Sequence, residues 1–201
     1  MINTEKPRLI IVAGPNGSGK TTITEKLLMH EWMQGCVYIN PDIIARDEFG
    51  DWNSKEAVLK AADKAQSIRN QCLNENKSIA FETVFSSAEK SEFVKRAKDA
   101  GYFIRLFFIC TNDPSINAQR VAQRVMQNGH DVPISKIISR YYKSIENCVD
   151  VIPLVDRLYF YDNSETDKDP ELLFRINDAK LAKEYMDNIP EWAKSILSIF
   201  K

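Results

Sequence analysis

With 201 residues, 44% of them hydrophobic and 27% charged, the chain has the size and composition of one globular unit. A formal net charge of −1 gives no long-range attraction to a polyanion, so a nucleic-acid partner is not expected unless a local basic patch supplies one. No run approaches the apolar length of a membrane span, the first residues lack a signal cleavage site, and Cys36, Cys72, Cys110 and Cys148 are too scattered for a zinc or redox pair, so the expectation is a cytoplasmic chain with no membrane contact and with cysteines packed as small hydrophobes.

In chain order, the first strand is expected at Leu9 to Ala13, followed by a helix through Ile23 and Leu27 that stops near Gly35. Further strands are expected at Cys36 to Ile39, Ser78 to Phe81, Phe103 to Cys110 and Leu158 to Tyr161. Each is short, nearly continuous in apolar character and separated from the next by a helical stretch, the pattern of parallel strands buried on both faces. Between them, Ser54 to Asn74 carries the stripe Val58, Ala61, Ala65, Ile68 and Cys72. Asp113-Pro114 reads as an N-cap with proline at the first helical position, and Pro133 opens a helix with the stripe Ile134, Ile137, Tyr141, Ile145 and Cys148. The turn-rich Asn128 to Val132 between those two helices suggests the tip of a lid. Past Tyr161 the pattern weakens: a polar loop, an edge strand at Leu172 to Ile176, then a helical stretch from Lys180 to Lys201 interrupted at Pro190. The fold class is therefore α/β, a doubly wound, mostly parallel sheet with a helical lid, as one domain over 1–201 with a core at 8–164 and a C-terminal appendage at 165–201.

Gly14-Pro15-Asn16-Gly17-Ser18-Gly19-Lys20-Thr21 fits GxxxxGK[ST] between that first strand and its helix. The glycines let successive N–H groups curl around phosphates while the helix presents its positive end, and Thr22 continues the cradle. Lys20 is expected to bridge the β- and γ-phosphates and the Thr21 hydroxyl to ligate magnesium. An NKxD-type guanine loop is absent, so ATP is the expected nucleotide. A compact α/β unit of this kind resembles small-molecule and nucleotide kinases more than motors.

Phosphoryl transfer needs a group to take the acceptor's proton and cations to spread the transferring charge. Asp42 follows the second strand, at the carboxyl edge where open α/β sheets gather ligands, and its bland alternative is an N-cap for a helix from Ile43. Glu82 and Thr83 end the third strand and suit either substrate hydroxyls or a polar strand terminus. Arg120 and Arg124 share one helix face, and Arg140 follows on the next helix; each is a candidate phosphate contact or a solvated arginine, with Arg124 and Arg140 ranked first. His130 reads as a solvated loop residue, and Trp32, Trp52, Trp192 and the Phe103 to Phe108 cluster read as packing.

AGPNGSGKTT, YINPD, FET, RVAQRV, GHDVP, RYYKS and YDNS occur in that order from Leu9 to Ser164, and the set resembles the zeta-toxin family of P-loop kinases. The resemblance implies a kinase that uses ATP and magnesium to phosphorylate the sugar 3′-hydroxyl of UDP-N-acetylglucosamine, with an antitoxin protein as a candidate partner. It assigns Lys20 as the Walker lysine, Asp42 as the catalytic aspartate, Arg124 and Arg140 as phosphate clamps, and Glu82 and Thr83 to substrate binding; it does not decide between Arg120 and Arg124. No antitoxin segment is recognisable in the sequence, and the longer C-terminal extensions of some toxins are not expected. A nucleotide-sensing module without transfer and a polynucleotide end kinase are the alternatives, the first disfavoured by Asp42 and the second by the neutral charge.

Overall fold

A computed structural model describes residues 6–50, 54–127 and 132–200. Strand β1 (Arg8–Ala13) leads into helix α1 (Lys20–Leu28), then β2 (Val37–Ile39), α2 (Pro41–Phe49), α3 (Lys55–Asn74), β3 (Ile79–Thr83) and α4 (Ala88–Asp99). The chain continues through β4 (Phe103–Cys110), α5 (Pro114–Met126), α6 (Ile134–Val151), β5 (Arg157–Asp162), β6 (Glu171–Asn177), β7 (Lys180–Glu184) and α7 (Glu191–Leu197). The seven strands form one sheet in the order β2-β3-β1-β4-β5-β6-β7, the first five parallel and the last two antiparallel. β1 lies between β3 and β4, so the chain that leaves its carboxyl end emerges where the strand order reverses, the position at which such sheets bind ligands.

Alternation within β1 explains the two layers. Leu9, Ile11 and Ala13 face a large core shared with Phe81, Phe93, Phe108, Tyr141 and Phe160, while Ile10 and Val12 meet Ile23 and Leu27 of α1 on the opposite face. Both sets are buried, which is why the strand reads as a continuous apolar run. A third, smaller cluster of Val121, Val132 and Ile137 joins α5 to α6.

Several expectations are corrected. Lys180–Glu184 is a strand, although its Lys, Leu, Ala and Glu are good helix formers. Asp178 and Ala179 both take left-handed backbone angles, with Asn177 opposite Lys180, so a tight two-residue hairpin turns the chain back and makes β7, with its exposed charged side chains, the sheet edge in place of β6. Helix α1 ends at Leu28, and a single 3₁₀ turn at Glu31–Met33 intervenes before Gly35. The buried residues of α3 are Ala57, Ala61, Ala65, Arg69, Cys72 and Leu73, while Val58 and Ile68 of the expected stripe are only partly buried; Arg69 can be buried because its guanidinium lies 5.1 Å from the Phe81 ring centroid and 3.6 Å from Glu89. On α6, Ile134 is exposed while Ser144 and Val151 join the buried face. Of the expected lid tip, Asn128 to Val132, only Val132 is among the described residues, where it is buried between α5 and α6; Trp52 also lies outside them. Cys72, Cys110 and Cys148 are buried and unpaired, and Cys36 is only partly buried. Residues 171–197 extend the same sheet and contribute Phe174, Ile176, Trp192 and Ile196 to the main core.

Candidate functional site

The loop after β1 owes its shape to glycine. Gly14, Gly17 and Gly19 all have positive φ, at 149°, 74° and 87°. Close approach adds a second requirement: a Cβ on Gly17 would sit 2.6 Å from the backbone oxygen of Asn117, and one on Gly19 would sit 2.1 Å from Nδ2 of Asn163. Helix α1 then begins with no side-chain cap and no acidic residue in its first turn, leaving its N–H groups and positive dipole end for an anion.

Lys20 is folded back over this loop, its ammonium donating to the carbonyls of Gly14 and Pro15 at 2.9 Å each. Burial pushes its pKa down to about 8; Arg124 adds to the fall, while Glu82 and Asp42 oppose it. Three residues singled out from the sequence are thus close enough to Lys20 to bias its charge. Glu82 accepts a hydrogen bond from the Tyr38 hydroxyl at 3.0 Å, and that hydroxyl accepts one from Asn40 Nδ2 at 3.2 Å. Burial, with the nearby Glu82 carboxylate, raises the Tyr38 pKa, so the phenol stays a donor. Thr83 builds the loop floor: its carbonyl accepts from Gly14 N–H at 3.3 Å and its hydroxyl from Phe85 N–H at 3.1 Å.

The cap reading of Asp42 is overturned. Asn40 is the N-cap of α2, Pro41 holds the first position, and the Asn40 side chain accepts from the N–H of Asp42 at 2.9 Å. The carboxylate of Asp42 is therefore not needed to cap α2, and it stands exposed in the first turn of the helix at the carboxyl edge of β2.

The three arginines separate. Arg124, exposed on α5, acts electrostatically on Lys20. Arg140 on α6 donates to Oδ1 of Asn16 at 3.4 Å, which places its guanidinium against the phosphate loop. Arg120 donates to the carbonyls of Asn163 and Glu165 at 2.7 and 3.0 Å, holding the loop after β5. Sequence reasoning missed Tyr38, Asn117 and Asn163 as parts of this site. Asn163 is fully visible in YDNS and Tyr38 in YINPD, but Asn117 is one polar residue inside a helix, and nothing in the sequence sets it apart.

Among the described residues no group of three or more His, Cys, Asp or Glu side chains is arranged to hold a metal ion. An ion at this site would therefore draw its ligands from nucleotide phosphates, water and the hydroxyl of Thr21, hard oxygen donors that suit magnesium. A separate cleft between α6 and α7, lined by Ile145, Glu146, Val149 and Asp150, shares no residue with the phosphate loop.

The family described as zeta toxin matches residues 1–167. An uncharacterized protein of Haemophilus influenzae is 27% identical over 134 residues, covering 67% of this chain and 92% of its own length. Among solved structures, one from the PezAT chromosomal toxin-antitoxin system of Streptococcus pneumoniae superposes with a TM-score of 0.62 at 16% identity, over 98% of this chain and 85% of that one. The AvrRxo1-ORF1:AvrRxo1-ORF2 complex with ATP superposes with a TM-score of 0.65 at 16% identity, over 98% of this chain and 64% of that one.

Proposed function

Because the chain belongs to the zeta toxin family and is a phosphotransferase acting on a hydroxyl group, we propose that it moves the γ-phosphoryl group of ATP to a sugar hydroxyl of a UDP-sugar such as UDP-N-acetylglucosamine. The observation that carries this reading is the gathering of an uncapped phosphate-binding helix, a partly buried lysine folded over its loop and two carboxylates from neighbouring strand ends at one switch point of the sheet.

In this reading Gly14 to Thr22 cradle the triphosphate and Lys20 leaves its loop carbonyls for the β- and γ-phosphate oxygens. Asp42 accepts the proton of the acceptor hydroxyl as the new oxygen–phosphorus bond forms and the β–γ bridge breaks, with ADP leaving. Arg124 and Arg140 close on the transferring group and spread its charge. Glu82, held by Tyr38, and Thr83 orient the acceptor hydroxyls. Arg120 serves the nucleotide through the Asn163 to Glu165 loop that it holds. Thr21, together with nucleotide phosphate oxygens, would hold a magnesium ion, which would supply positive charge against the phosphates.

The PezAT likeness supports an antitoxin protein as partner, and no described helix is long and apolar enough to cross a membrane. The test is ADP formation from ATP and magnesium across a panel of UDP-sugars, free sugars and 5′-hydroxyl oligonucleotides. Turnover that rises only with a UDP-sugar supports the proposal. Turnover that rises only with the oligonucleotide identifies an end kinase instead, and none with any acceptor removes the sugar-nucleotide reading.

A further inference from the structure

Two asparagines outside the phosphate-loop motif grip the loop from opposite elements. Asn117 of α5, fully buried, donates its Nδ2 to the carbonyl of Asn16 at 2.6 Å and accepts from the Thr111 hydroxyl, which fixes which way its amide faces. Asn163, in the turn after β5, donates its Nδ2 to the carbonyl of Ser18 at 2.9 Å, and its own carbonyl is held by Arg120 at 2.7 Å. The two carbonyls belong to the peptide bonds that precede Gly17 and Gly19.

None of the described peptide bonds is cis. A planar trans peptide points its C=O and its N–H in opposite directions. Each carbonyl drawn outward onto an asparagine therefore turns the N–H of the following glycine inward, into the space the loop encloses. The match is close: Gly17 is the residue whose Cβ would strike Asn117, and Gly19 the one whose Cβ would strike Asn163. Absence of a side chain at each glycine lets its own asparagine approach. Peptide planes in a glycine-rich loop flip readily, so without the two grips the loop keeps the right glycines but not a fixed set of inward donors.

The geometry points to Asn117 and Asn163 as positioning residues that preset the Gly17 and Gly19 N–H groups for nucleotide phosphates. The inference rests on the reading that this loop binds nucleotide. It also gives α5 and the turn after β5 a direct hold on the cradle, so that Arg120, by fixing Asn163, acts at one remove on Gly19.

The test uses the full chain labelled with ¹⁵N, with MgADP as probe. In the parent, MgADP is expected to move the amide protons of Gly17 and Gly19 downfield as each takes a charged acceptor. Asn117→Asp keeps the shape but replaces the donor with an acceptor facing a carbonyl, and is expected to abolish the shift at Gly17 while that at Gly19 survives. Asn163→Asp should do the converse, and each should weaken MgADP about tenfold, in the range expected for a hydrogen bond to a charged group. Should the buried Asn117→Asp variant fail to fold, the half-exposed Asn163→Ala decides alone, by loss of the Gly19 shift with the Gly17 shift kept. Folded variants that bind MgADP within twofold of the parent, with both shifts intact, overturn the inference, as does equal loss of both shifts from either variant, which would mark general damage to the loop. A parent that fails to bind MgADP overturns the nucleotide reading together with this one.

Discussion

Replacing Asp42 by asparagine separates chemistry from scaffolding. Its carboxylate is exposed and the cap of α2 is Asn40, so the Asp42 side chain is not needed to hold the start of the helix. The structural cost is then limited to one acidic residue in the first turn of a helix, roughly 0.3–1 kcal/mol. If Asp42 takes the acceptor's proton, transfer should slow by about 10²–10⁴-fold, equivalent to roughly 2.7–5.5 kcal/mol in the barrier. The two effects differ enough to be read apart.

ATP affinity supplies the control. Asp42 favours the charged form of Lys20, so its loss weakens that support slightly, while removing a negative charge near the triphosphate acts the other way. The dissociation constant for ATP should therefore stay within about threefold, a change of under roughly 0.7 kcal/mol. The assay is single-turnover transfer to the acceptor that the substrate panel identifies, alongside ATP binding by calorimetry. Transfer at the parental rate would refute the base assignment. Intact transfer chemistry with lost magnesium-dependent binding would move Asp42 from the acceptor to the metal.

Three further outcomes are expected. With its pKa near 8 in the free protein, Lys20 is charged below that value and neutral above it, so ATP affinity should fall as pH rises from 7 to 9.5, and titration calorimetry of Lys20→Met should show no such fall. Gly19→Ala would place a Cβ 2.1 Å from Asn163 Nδ2 at a φ of 87°, and should cost about 1–2 kcal/mol in thermal or urea unfolding and at least about tenfold in ATP affinity; an unchanged affinity would mean that the loop tolerates the shift. Tyr38→Phe removes the hydroxyl that holds Glu82, and should raise the acceptor KM about tenfold while leaving the KM for ATP unchanged; equal effects on both would place Glu82 elsewhere in the reaction.

Much of the fold is legible because its signals are local. The β1 strand, the glycine loop and α1 follow one another without interruption, and Asp113-Pro114 starts α5 as its cap chemistry demands, the Asp113 side chain accepting from the N–H of Ser115. The hairpin at Asp178-Ala179 fails that test. Ala179 takes a left-handed angle that glycine would have announced, and the lysine, alanine and glutamate beyond it favour helix on their own. Pairing with β6 overrides that preference. Arg69 is illegible for another reason: hydrophobic periodicity counts a guanidinium as surface, while here the Phe81 face and Glu89 make a buried cation tolerable.

The same division runs through the site. Glycines, lysine and threonine of the phosphate loop are adjacent in sequence because they line one short turn, and spacing alone exposes them. What fixes the turn comes from far along the chain: Asn117 lies 101 residues from the carbonyl it holds, and Asn163 lies 145 from its own. A pattern of adjacent residues can specify that N–H groups are free to point inward, since that is a property of glycine. It cannot specify that they do so, since that depends on where the carbonyls on the other side of each peptide plane find donors. The sheet order supplies those donors: with β1 beside β4 and β4 beside β5, the segments that follow β4 and β5 deliver Asn117 and Asn163 beside the same loop, so that the preset cradle is a product of topology as much as of the motif.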